Sequence, residues 1–179
     1  MRRMQATRIN TDLILTIKIR VATHPLNQRA NDLRGQNHHY KNNAIMLLIH
    51  EALTDEIIKA YYDVYNILGF GFLEKVYQNA MFLELRDKGF YVEVQKQIKV
   101  QFKGVFVGEY YADFVINEKV IIELKAAECL VKENEAQLIN YLRGTNIEVG
   151  LLFNFGKKPE FKRKVFTNNI KSTLILAHG

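Results

Sequence analysis

The sequence predicts an α/β domain with a mixed sheet, and three observations carry that reading. Residues 51–88 place apolar side chains at helical spacing, residues 90–126 are rich in β-formers broken by turns, and residues 120–153 run strand, helix, strand. The last pattern matters most, because two short apolar strands separated by a helix read as buried on both faces.

The elements follow in order. Thr54 is a candidate N-cap, with Asp55 and Glu56 in the first turn, where negative charge suits the helix dipole. Ile57, Tyr61, Val64, Tyr65 and Leu68 continue at helical spacing until Gly69 and Gly71 break the pattern. A second helix is predicted from about Phe72 to Lys88, stopping at Gly89. Leu73, Val76, Ala80 and Leu83 are its expected core stripe, with Glu74, Tyr77 and Met81 along another face. Tyr91–Val94 and Gln97–Phe102 read as strands, Gly104 as a turn and Val105–Ile116 as a long strand. Asn117–Lys119 is a turn and Val120–Lys125 a central strand. Lys132–Arg143 is a helix closed by Gly144, and Ile147–Phe153 is a further buried strand. Asn154-Phe155-Gly156 reads as a turn, and Lys157–Lys164 as a basic stretch punctuated by Pro159.

Organisation along the chain is uneven. Residues 1–50 carry eight Lys/Arg against two Asp/Glu, whereas residues 51–179 carry seventeen of each. The whole net charge of +6 therefore sits in the first 50 residues, and the high isoelectric point is a weak guide to partners. Residues 1–45 read as a basic segment without packed structure, with 13–19 as a short strand at most. A basic arm and a targeting peptide are the functional alternatives; the favoured expectation is an unstructured segment or upstream sequence translated from an early start codon, with Met46 as the start. The expected domain spans 46–167, followed by a tail at 168–179.

Counts exclude several chemistries. A single cysteine, Cys129, leaves no disulfide framework and no multi-cysteine zinc site. The only serine is Ser172, and no histidine lies between residues 51 and 177. A Ser-His or Cys-His nucleophile therefore lacks its base in the body of the chain. No apolar run reaches membrane-spanning length.

Carboxylates, lysines, amides and tyrosines remain. Glu123 and Lys125, two apart on a strand, share a face. In an antiparallel hairpin Asp113 faces Glu123 if 116 pairs with 120 across a three-residue loop; a two-residue turn puts the carboxylates on opposite faces. Converging carboxylates suit a hard cation such as Mg²⁺ or Mn²⁺, and a neighbouring lysine orients water or stabilises phosphoryl charge. These are parts for metal-assisted phosphodiester hydrolysis. Taken alone, D…ExK more often describes a buried strand ending in solvated Glu and Lys. Gln137 and Tyr141, four apart, share a helix face. Glu74, with Tyr77 one turn away, is a third candidate carboxylate. The segment Gly69-Phe70-Gly71 follows a helix rather than a strand and lacks a third glycine, so it is no dinucleotide loop.

Taken together, Gly71-Phe-Leu-Glu74-Lys-Val-Tyr77, VGEYYAD (107–113), VIIELKA (120–126), AQLINYLRGT (136–145) and VGLLFNFG (149–156) resemble the GxxExxY proteins. These form a bacterial and archaeal group within the PD-(D/E)XK nuclease-like superfamily. The resemblance runs from about Leu53 to Lys164. One departure is Phe70, where many members have proline; it affects the loop more than the chemistry. The resemblance implies a restriction-endonuclease-like (PD-(D/E)XK) core, a mixed β-sheet flanked by α-helices with the site at one sheet edge. It puts Asp113, Glu123 and Lys125 on metal and catalytic positions, Glu74 on the first-helix glutamate, and Gln137 and Tyr141 on a Q-x-x-x-Y element.

The expected function is a Mg²⁺- or Mn²⁺-dependent nuclease acting on DNA. Asp113, Glu123 and Glu74 are its metal residues, Lys125 positions or activates water, and Gln137, Tyr141 and Tyr77 contact substrate. A non-cleaving nucleic-acid- or protein-binding module that kept the fold is the alternative, and an assembly role through the sheet edge or the Tyr-rich first helix is a third. A cytoplasmic location, no membrane partner and a homodimer as one possible assembly complete the expectations.

Overall fold

The computed structural model describes residues 49–103 and 105–171, all within one compact unit that begins at Ile49. The expectations for residues 1–45 and for 172–179 lie outside the described residues. The element order is α1 (Glu51–Leu68), α2 (Glu74–Asp87), β1 (Val92–Phe102), β2 (Val105–Ile116), β3 (Val120–Lys125), α3 (Lys132–Arg143), β4 (Val149–Asn154) and β5 (Glu160–Val165). The strands form one sheet in the order β1-β2-β3-β4-β5. Only β3 and β4 are parallel; every other neighbouring pair is antiparallel. The mixed sheet with flanking helices is that of an α/β restriction-endonuclease-like fold.

The two central strands explain the sheet's layering. Along β3, Val120, Ile122 and Leu124 join the core under α1 and α2, while Ile121 joins the core under α3. Both faces are covered, so apolar residues occupy successive positions rather than alternating ones. Each such fully buried aliphatic or aromatic side chain contributes roughly 1.5–3 kcal/mol. The helix α3 comes close to β4 because Gly150 has no side chain: a Cβ there would lie 2.7 Å from Leu138 Cδ1.

The β2–β3 hairpin sets the register that matters for chemistry. Phe114 pairs with Ile122, Val115 with Ile121 and Ile116 with Val120, the three-residue loop required by the sequence argument. Asn117 and Glu118 adopt φ of 51° and 58°, in the left-handed region, and the Lys119 N–H donates to Ile116 O at 2.9 Å to close the turn. Asn117 Oδ1 accepts from the Tyr91 backbone N–H at 2.9 Å, and the Asn117 N–H donates to Tyr91 O at 2.9 Å. The turn is thereby fastened to the start of β1.

Four local expectations differ from the structure. His50, not Thr54, precedes the first helix; Thr54 lies inside it and donates its hydroxyl to Glu51 O at 2.9 Å. In α2 the buried face is Tyr77, Gln78, Met81 and Leu85, whereas Leu73 and Leu83 are 79% and 61% exposed. Of the apolar stripe, Leu73, Val76 and Leu83 are exposed and Ala80 packs against the core. Val92–Val94 and Gln97–Phe102 belong to one strand that runs through Gln95, which is left out of the ladder pairs. The basic stretch after Pro159 contains β5, an edge strand in which Lys162 and Lys164 alternate with Phe161, Arg163 and Val165; charged side chains are usual on edges. Beyond it, residues 168–171 form a helical turn, and Lys171 Nζ donates to Thr145 O and Ile147 O at 2.8 Å each.

Candidate active site

Beyond the Phe114–Ile122 pair, β2 and β3 no longer form a ladder. Asp113 and Glu123 occupy the next positions on either side of that divergence, so the hairpin register brings both onto one face. Asp113 is among the buried residues, and Glu123 is only 4% exposed. Two buried carboxylates side by side are costly unless something offsets their charge.

Asp113 is richly hydrogen-bonded. Its Oδ2 accepts from the Leu124 backbone N–H at 2.8 Å, and its Oδ1 accepts from Gln78 Nε2 and Gln95 Nε2 at 3.1 Å each. Glu123 differs: Oε1 accepts from Lys125 Nζ at 2.7 Å, but Oε2 is buried with no partner. Gln78 and Gln95 were not found from the sequence. Gln78 directly follows Tyr77 in the motif, but no spacing rule joins either glutamine to Asp113, because their contacts arise only when α2, β1 and β2 come together.

The electrostatics follow from burial. Loss of solvent pushes the Glu123 carboxyl up to about 7; the Asp113 charge adds to this, Lys125 opposes it and Glu74 adds again. Asp113 is also raised by burial, against the Leu124 N–H, Lys125, Gln95 and Lys75, which pull it down. Glu74, the first residue of α2, is raised by partial loss of solvent, lowered by Lys125 and raised by Asp113. Burial depresses Lys125, but Glu123, Glu74 and Asp113 outweigh it and the net shift is upward. The lysine is therefore held as an ammonium.

Gln137 and Tyr141 meet on α3. Gln137 Nε2 donates to the Tyr141 hydroxyl at 2.5 Å, and that hydroxyl donates to Tyr111 O at 3.5 Å. Burial raises Tyr141 to about 12, with the Glu123 and Asp113 charges adding to the shift, so the pair borders the carboxylates. Tyr77 is turned elsewhere. It is fully buried, stacks on Phe155 at 4.1 Å, donates its hydroxyl to Gly69 O at 3.0 Å and accepts from the Phe72 N–H at 3.2 Å. It braces the loop that delivers Glu74.

The segment Asn154-Phe155-Gly156 is more than a turn. Asn154 is completely buried; its Oδ1 accepts from the Ala127 N–H at 2.9 Å and its Nδ2 donates to Ala127 O at 3.0 Å. Gly156 permits the approach, since a Cβ would lie 2.3 Å from Ala127 O. This clasp holds the chain immediately after Lys125.

Among the described residues, no group of three or more His, Cys, Asp and Glu side chains is gathered closely enough to hold a metal unaided. The oxygen donors nevertheless fit a hard cation bound through two carboxylates, with water and substrate phosphate completing the shell. The unpartnered Glu123 Oε2 and the unbalanced negative charge are the features such an ion would satisfy. No described helix is long and apolar enough to cross a membrane.

The family model described as PD-(D/E)XK nuclease superfamily matches residues 51–164. Curated proteins give no match. A solved structure titled "Crystal structure of SSO0001" aligns at 14% identity and a TM-score of 0.41, over 72% of this chain and 65% of that one. The present chain thus spans just under two thirds of that protein's length.

Proposed function

The chain belongs to the PD-(D/E)XK nuclease superfamily, and from that premise we propose that it is a Mg²⁺- or Mn²⁺-dependent nuclease hydrolysing phosphodiester bonds in DNA. The observation that carries this reading is the buried, unpartnered Glu123 Oε2 beside Asp113. In a structural ion pair both carboxylate oxygens would be satisfied.

Asp113 and Glu123 would hold the ion, with Glu74 at its outer side. A bound divalent ion would lower the pKa of a coordinated water and neutralise phosphoryl charge. Lys125, kept protonated by its three carboxylate neighbours, stabilises negative charge on the substrate and orients water rather than removing its proton. Gln137 holds the Tyr141 hydroxyl, which lies within reach of the Glu123 and Asp113 charges. Tyr77, with its hydroxyl engaged by the Gly69–Phe72 loop, acts on Glu74 through that loop.

One observation favours a non-cleaving binding module instead. Residues 51–179 carry equal numbers of basic and acidic side chains, whereas binding a phosphate backbone relies on basic surface. A cleavage assay on labelled single- and double-stranded DNA decides between the two. The full chain should cut in Mg²⁺ and stop in chelator, and Asp113→Asn or Lys125→Ala should lose at least about 100-fold in rate while folding normally. DNA binding without cutting, unchanged by either substitution, would favour the binding module.

A further inference from the structure

Asp113 is approached by three N–H donors from three different elements. Gln78 on α2 and Gln95 on β1 both donate to Oδ1, and Leu124 on β3 donates to Oδ2. An ionised carboxylate offers about four lone-pair sites, so Oδ1 is filled and Oδ2 keeps one. We propose that Gln78 and Gln95 are positioning residues that make Asp113 a one-point ligand of fixed direction for a divalent cation. This rests on the metal-dependent reading above and deepens it.

Two further features support the assignment. The amide of Gln78 is oriented from behind: Lys75 Nζ donates to its Oε1 at 2.6 Å, and the side chain is only 5% exposed. An ammonium can only donate, so the amide oxygen must face Lys75 and the NH₂ must face Asp113. The second feature is backbone strain. Gln95 has φ of 50°, and the β1–β2 ladder runs from Val94–Phe114 to Lys96–Ala112 without pairing it. Left-handed backbone is strained for a non-glycine residue, whereas glycine adopts it freely. A glutamine in that conformation, opposite Asp113 and bonded to it, is accounted for by where its amide goes. In an unshifted register opposite Asp113, the left-handed backbone at Gln95 goes with a side chain that reaches the carboxylate.

The strain also supplies a clean test. Gln95→Gly removes the amide but relieves the backbone, so a structural role and a positioning role predict opposite results. In the full chain, thermal unfolding without metal should give a Tm equal to or above wild type. Calorimetric titration with Mg²⁺ should show affinity weakened by about 10- to 100-fold. Gln78→Met, similar in volume but without donors, should weaken Mg²⁺ binding to a comparable extent. Wild-type Mg²⁺ affinity in both variants would overturn the inference. A wild-type chain that gives no Mg²⁺ heat would overturn the metal-dependent reading itself, an outcome distinguishable from the first because there the wild type binds.

Discussion

Two buried polar side chains stand at the ends of the adjacent parallel strands. On β4, Asn154 has its oxygen and its nitrogen both satisfied by Ala127. On β3, Glu123 has one oxygen paired with Lys125 and the other unpaired, and its carboxyl is pushed up to about 7. Burial is nearly the same for the two, and hydrogen bonding is not. The complete network fixes a loop and lowers the energy of the fold. The incomplete one raises it, and makes sense where a ligand completes it.

Breaking the satisfied side should cost most. Asn154→Leu leaves the Ala127 N–H and carbonyl without partners, and should destabilise the chain by about 2–5 kcal/mol in urea unfolding. Cleavage should fail only under conditions where that variant unfolds.

Changing the unsatisfied side should act in the opposite direction. Glu123→Gln removes a buried charge from beside Asp113 and Glu74. The metal-free variant at pH 8 should be more stable than wild type by about 1–3 kcal/mol, and it should lose its stabilisation by Mg²⁺. The pH dependence has a definite sign. Because the folded-state carboxyl of Glu123 is raised from 4.5 to about 7, its contribution favours folding below about pH 4.5 and is lost as pH rises toward 7. Asp113 and Glu74 shift the same way. Metal-free protein should therefore lose Tm between pH 5 and 8, and Mg²⁺ should restore it at pH 8. A rise in Tm over that range would contradict the account.

A smaller effect sharpens the comparison at the edge of the site. Tyr77→Phe removes the hydroxyl shared by Gly69 O and the Phe72 N–H and should cost about 1 kcal/mol. Its Mg²⁺ affinity should stay within about twofold of wild type, since only the loop before Glu74 is loosened.

The satisfied and unsatisfied sides were unequally legible in the sequence. The hairpin register followed from asking what would put Asp113 opposite Glu123, and 116 does pair with 120. The helix Lys132–Arg143 and the strand Val105–Ile116 follow from local period and turn residues, with the same bounds. The α2 core face did not, because Leu73 and Leu83 are more apolar than Tyr77 and Gln78, which tertiary contacts bury instead. Gln78 and Gln95 escaped for a related reason. Each is 18 or more residues from Asp113 in the chain, and a primary amide carries no motif of its own. Asn154 reads as a turn residue in the sequence because its partner, Ala127, lies 27 residues earlier.

The most direct test is calorimetric titration of Mg²⁺ into the full metal-free chain at pH 8, with Asp113→Asn and Glu123→Gln run alongside. A saturable heat in wild type that is lost in both variants, while all three remain folded, is the predicted result. An equal heat in all three, or none in wild type, would contradict the claim that the unpartnered carboxylate is a cation site.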